Sequence, residues 1–285
     1  MLSKPVLTYC FLAFAISWSI FFVALPLGAF DNQTAAFVVI FAFMWGPAVA
    51  GLVCARKFDK GNIVKTLGLI PQFNLWLILA WLVPIVICLG AVAFSLLGPD
   101  VHYIPIVEGL KTSLGDKAVE YPIQDNMGLV IILSAISIGA GINAVLLISE
   151  ELGWRGFLWN KIIEHGFWKA SLFTGIVWGF WHAPLIAMGH NYPGYPVLGI
   201  FAMVFFTTAM SPIIGYVRLK NGSVWAASLF HGTINAVAAL TVYSLSTPNL
   251  LWRGITGLGG LLALLVGCIW VYFALKKNTS KAMNQ

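Results

Sequence analysis

Seven stretches of this chain contain no Asp, Glu, Lys or Arg. They run from Pro5 to Phe30, Asn32 to Ala55, Thr66 to Pro99, Asn126 to Ser149, Ala170 to Val217, Asn221 to Trp252 and Gly254 to Leu275. Each is at least as long as the roughly 20 residues that carry a helix across about 30 Å of hydrocarbon. A charge at mid-bilayer costs about 2.5 to 3.5 kcal/mol on insertion scales, so the windows read as spanning helices. The fifth window is long enough for two spans and is interrupted by the turn-rich run Gly189 to Pro196, which divides it. The expectation is an all-α polytopic membrane bundle of about eight helices. With only 9% of residues charged, the chain has too little polar surface to cover a water-facing globule.

The loops between these spans alternate in sign. Lys4, then Arg56, Lys57, Lys60 and Lys65, then Arg155, Lys161 and Lys169, then Arg218 and Lys220, and finally Lys276, Lys277 and Lys281 fall on one set of faces. The other set holds Lys111, Lys117 and Arg253 among six acids: Asp31, Asp100, Glu108, Asp116, Glu120 and Asp125. By the positive-inside rule both termini are expected to be cytoplasmic, in a multi-pass protein of the cell membrane. The net charge of +6 therefore marks topology and contact with membrane lipid, and nucleic acid is not an expected partner.

The apolar run after Lys4 is too long for a signal-peptide core of about 7 to 15 residues and reads as an uncleaved anchor. Cys10, Cys54, Cys88 and Cys268 stand singly within spans and read as packing residues. The stretch from Pro99 to Asn126 reads as an external loop, irregular or holding a short surface helix. Residues 1–285 form a single integral-membrane domain in this reading, with core helices over 128–240 carrying the chemistry.

Ionisable residues inside a membrane are costly, and three patterns contain them. They are Glu150, Glu151 and Arg155 at the end of the fourth span, Trp178 and His182 in the fifth, and His231 and Asn235 in the seventh. Adjacent helical carboxylates point about 100° apart, so Glu150 and Glu151 have different tasks. Glu151 and Arg155 are i and i+4 with the acid first, the order that favours a salt bridge, which leaves Glu150 to face a cavity. His231 and Asn235 also share a helix face. Pro184, just past His182, is placed to kink its helix.

Each pattern also has a purely structural reading: an interfacial charge cluster, a histidine bonded to a neighbouring carbonyl, an interhelical hydrogen bond. Taken together they fit chemistry better. A carboxylate beside an imidazole in a partly desolvated cavity is suited to activating water, because burial makes it a better base. His231 and Asn235 can donate to an oxyanion. In a second version a divalent metal, most plausibly Zn2+, sits between Glu150, His182 and His231, and a metal-free route stays open beside it. The motif His-Glu-x-x-His is absent, as are Gly-x-Ser-Gly and Gly-x-Gly-Asp.

The patterns Glu150-Glu151-x-x-x-Arg155, Trp178-x-x-x-His182 and His231-x-x-x-Asn235 resemble those of the CAAX-processing and bacteriocin-processing (CPBP, or Abi) intramembrane endopeptidases. The resemblance covers about Ser149 to Asn235 and the eight-helix layout. It implies hydrolysis of a peptide bond in a peptide or membrane-protein substrate, from a cavity open to the cytoplasm. In it Glu150 and His182 handle water, His231 and Asn235 bind the oxyanion, and Glu151 and Arg155 support the site. Trp178 stands where Phe is common, and the prenylated substrate of the family label does not transfer. Two other readings compete: a non-enzymatic immunity or partner-anchoring protein of the same fold, and a proton-relaying transporter.

Overall fold

The computed structural model describes residues 1–283 of the chain. Seven helical runs among them are long and apolar enough to cross a membrane. The helices are α1 (Lys4–Ala24), α2 (Gln33–Phe58), α3 (Leu75–Ser95), α4 (Ile106–Leu114), α5 (Asp125–His165), α6 (Phe167–Trp181), α7 (Ala183–Ala187), α8 (Leu198–Asn221), α9 (Val224–Tyr243) and α10 (Leu258–Met283). Many large apolar side chains on these helices point outward, among them Phe11, Leu89 and Phe205. Water would penalise such a surface and hydrocarbon accepts it. The protein is an all-α, multi-pass membrane protein.

One expectation about helix limits is corrected, and one at Pro184 is met. The fourth span does not end at the acids: α5 continues without interruption to His165, and Glu150 through Trp159 are all buried. Counting charges treats each as a cost and cannot see that a buried pair neutralises itself. The fifth span is broken where Pro184 allows, since a proline has no N–H for the turn behind it. Helix α6 stops at Trp181, His182 forms a turn, and α7 resumes with Pro184 in its first turn.

The described residues form two compact units. One comprises Met1–Leu77 and Val145–Ser228. Its core is aromatic: Tyr9 lies edge-on to Trp154 with ring centroids 5.7 Å apart, and Trp154 meets Trp181 at 5.8 Å. Helices α6 and α8 approach closely through Gly175 and Gly179, where an added Cβ would come within 2.5 Å of the Thr208 and Val204 Cα atoms. Small residues four apart allow such backbone proximity, which in lipid must come from packing because no hydrophobic force drives helices together. The Thr207 hydroxyl ties the pair by donating to the Gly175 carbonyl at 2.8 Å. The part of α6 that carries Trp178, one turn before His182, is thereby held against a rigid neighbour.

The other unit comprises Ile78–Ala144 and Leu229–Gln285. Here α9 packs on α5 at Gly232, whose added Cβ would fall 2.4 Å from the Ala144 nitrogen. The expected loop between Pro99 and Asn126 contains α4, a 3-10 stretch over Gly115–Glu120, and His102 and Tyr103 paired antiparallel with Ser246 and Leu245.

Candidate active site

Glu150 and Glu151 end the α-helical stretch Ala140–Glu151 of α5, and a π-helical stretch, Leu152–Leu158, begins directly after them. Such wider turns are rare and are found mostly as local bulges, often at functional sites. Glu151 and Arg155 nevertheless meet as their spacing predicts, Arg155 Nη1 donating to Glu151 Oε1 at 3.0 Å with both side chains 0% exposed. Arg155 Nη2 also donates to the Ser211 hydroxyl at 3.3 Å, and its guanidinium lies over the Trp178 ring, 4.5 Å from the centroid. The bidentate reach of arginine and its tolerance for stacking suit it to a buried position of this kind.

Glu150, 4% exposed, is engaged separately: its Oε2 accepts a hydrogen bond of 2.9 Å from the Trp178 indole Nε1. The two adjacent acids thus have separate partners, as their angular separation on a helix requires. The motif spacing does not reveal this bond. The one signal for it is that tryptophan, unlike phenylalanine, brings an N–H into an apolar interior where it must find an acceptor.

His182 occupies the break between α6 and α7. Its Nδ1 is 2.9 Å from the Trp178 carbonyl, one helical turn earlier. A carbonyl oxygen only accepts, so Nδ1 carries a proton and donates it to this bond. The Trp181 indole meets the His182 ring edge-on, with centroids 4.8 Å apart. The Trp181 carbonyl beside it accepts from the Trp18 indole Nε1 at 3.0 Å. Donors of this kind replace backbone partners lost at a helix break in the membrane.

Glu150, Glu151, Arg155 and His182 lie in the first unit, and His231 and Asn235 lie in the second. His231 is 4% exposed, whereas Asn235, one turn further along α9, is exposed. The neighbouring Thr233 hydroxyl turns back to the Leu229 carbonyl at 2.7 Å, which satisfies it within the helix. Among the described residues, no three His, Cys, Asp or Glu side chains gather as a metal group would require.

The arrangement defines a class: a multi-pass membrane protein in which buried Glu, Arg and Trp and a half-buried His are joined by hydrogen bonds and ring contacts. Comparison with known proteins is more specific. Residues 127–237 match the family described as type II CAAX prenyl endopeptidase Rce1-like. A 93-residue stretch, 30% of this chain, is 37% identical to CAAX prenyl protease 2 of Methanococcus maripaludis. The aligned stretch spans 34% of that curated relative's length. The segment similar to that family contains all three motifs, from Glu150 to Asn235.

Proposed function

We propose that this protein is an intramembrane endopeptidase in which Glu150 and His182 activate a water molecule and His231 with Asn235 bind the oxyanion. The observation that carries the reading is the clamp around Trp178, whose indole N–H holds the Glu150 carboxylate and whose carbonyl accepts from His182 Nδ1. The matched family and the matched relative, itself named a CAAX prenyl protease, support peptide hydrolysis as the reaction.

In the proposed step Glu150 takes a proton from water as the water oxygen bonds to the scissile carbonyl carbon. The carbonyl π electrons move onto the oxygen, which accepts hydrogen bonds from His231 and Asn235. Collapse of the tetrahedral species re-forms the carbonyl and breaks the C–N bond, and the proton held by Glu150 passes to the departing amine. His182 accepts from the water through Nε2 and sets its direction of attack. General-base assistance of this kind contributes about 10²- to 10⁴-fold. No covalent intermediate is needed. The substrate is a peptide or membrane-protein segment reached from the cytoplasmic side.

The test is to compare membrane peptides from cells carrying wild-type protein with those from cells carrying Glu150→Gln. Uncleaved species are expected to accumulate with the variant; unchanged processing would overturn the enzyme reading. The same assay with purified protein, before and after a zinc chelator, separates the two ways of activating water. Activity retained after chelation supports Glu150 and His182 acting alone. Activity lost and restored by added zinc would replace them with a metal-bound water.

A further inference from the structure

Trp178 touches Glu150, Arg155 and His182 of the first unit's cluster. It is 1% exposed, and four contacts meet on it. Its indole Nε1 donates to Glu150 Oε2 at 2.9 Å. Its ring face carries the Arg155 guanidinium at 4.5 Å. Its own carbonyl is 2.9 Å from His182 Nδ1, and its ring lies 5.9 Å from the imidazole, centroid to centroid. The backbone beneath it cannot drift, because Gly175 and Gly179 hold that turn of α6 against α8.

We propose that Trp178 is the positioning residue of the site: its indole N–H fixes the orientation of the Glu150 carboxylate relative to His182, a task that phenylalanine at this position cannot perform. The inference rests on the reading of Glu150 and His182 as the water-activating pair. A carboxylate on a glutamate side chain has three rotatable bonds, and a bond to a buried, directional donor removes most of that freedom. Because the same residue supplies the carbonyl that orients His182, acid and imidazole are referenced to a single rigid body. The arginine stacked on the ring donates to Glu151, while the indole N–H donates to Glu150.

Two kinds of substitution separate the N–H from the rest of the residue. Trp178→Phe keeps an aromatic ring beneath Arg155 and the carbonyl toward His182, and removes the donor. Replacement of Trp178 by 3-benzothienylalanine keeps the shape of the indole and exchanges its N–H for sulfur. Hydrogen bonds to charged groups are worth about 1.5 to 3 kcal/mol, so both changes are expected to lower kcat by about ten- to a hundredfold while KM stays within about twofold. The substrate for these measurements is the membrane peptide found by the Glu150→Gln comparison, synthesised with a fluorophore and quencher. In the Glu150→Gln background, Trp178→Phe is expected to cost nothing further, the non-additivity of two groups acting through one contact. A readout independent of turnover is the indole N–H resonance of protein labelled with ¹⁵N-tryptophan. The signal lost in Trp178→Phe is expected to move on Glu150→Gln and to stay in place on Glu164→Gln.

The benzothienyl variant settles the case in which the phenylalanine variant fails to fold. If it turns over at the wild-type rate, packing alone explains Trp178 and the proposal is overturned. If Glu150→Gln abolishes cleavage while Trp178→Phe retains full kcat, the proposal falls and the assignment of Glu150 stands. If Glu150→Gln retains full cleavage, both fall together.

Discussion

Glu151 and Arg155 meet at 3.0 Å with both side chains fully enclosed, whereas Lys111 and Asp125 meet at 2.8 Å with 39% and 94% of their side chains exposed. By distance the second pair is the better one. By environment the first is far more constrained: Arg155 is also held by Ser211 and by the Trp178 ring, and its partner adjoins the acid assigned to the chemistry. Charges taken out of water have no alternative partners, so their geometry becomes fixed. Charges left at the surface exchange freely with solvent and ions. The difference explains how α5 can hold two acids and an arginine within buried helix without melting.

The largest effects are expected within the enclosed cluster, and they divide between its two acids. Glu150→Gln is expected to reduce cleavage by about 10²- to 10⁴-fold and to leave thermal unfolding in detergent nearly unchanged, because the amide oxygen still accepts from Trp178. Arg155→Met strands the Glu151 carboxylate in the interior. It is expected to lower stability by about 3 to 5 kcal/mol, measured by denaturant titration in mixed micelles. Adding Glu151→Gln to Arg155→Met should recover much of that loss, since an uncompensated charge is then removed. A stability loss in Glu150→Gln as large as that in Arg155→Met would erase the division of labour between neighbouring acids.

Much of this was legible in the residues, for reasons that also mark where reading them fails. Charge-free windows locate spans because hydrocarbon penalises every unpaired charge alike. The rule breaks at Glu151 and Arg155, which neutralise each other inside the protein while α5 runs on to His165. The Glu151–Arg155 pair was readable because i and i+4 neighbours meet through local helix geometry alone. The break at His182 was foreshadowed by Pro184. The indole bond to Glu150 was not readable: its partners are 28 residues apart, and its direction depends on how α6 packs against α8. Nor does spacing reveal that His231 is buried and Asn235 exposed, because a shared face fixes azimuth and says nothing of what covers each turn.

A smaller effect is expected from the second unit's polar pair. His231→Ala and Asn235→Ala should each cost about 2.7 to 4 kcal/mol of transition-state stabilisation, read as a fall in kcat for the labelled peptide. Both should leave the ¹⁵N indole signal of Trp178 in place, because they remove donors from the oxyanion and not from the acid. A Trp178 signal displaced by either change would mean that the first unit's cluster is reorganised by substitution on α9, and their loss of rate would no longer report on the oxyanion.

The smallest effect belongs to the exposed pair, and it is the sharpest check on the role of burial. Lys111→Ala removes an ion-pair partner of Asp125 from a position where water can take its place at once. The pair joins residues 14 apart in sequence, so holding it orders two side chains for a contact that salt also screens. Unfolding and cleavage should therefore match the wild type within error, at low salt and at high. Were Lys111→Ala to destabilise the protein as strongly as Arg155→Met does, enclosure could not be what distinguishes the two pairs. The stability attributed to the buried cluster would then have to be sought in the packing of α5 itself.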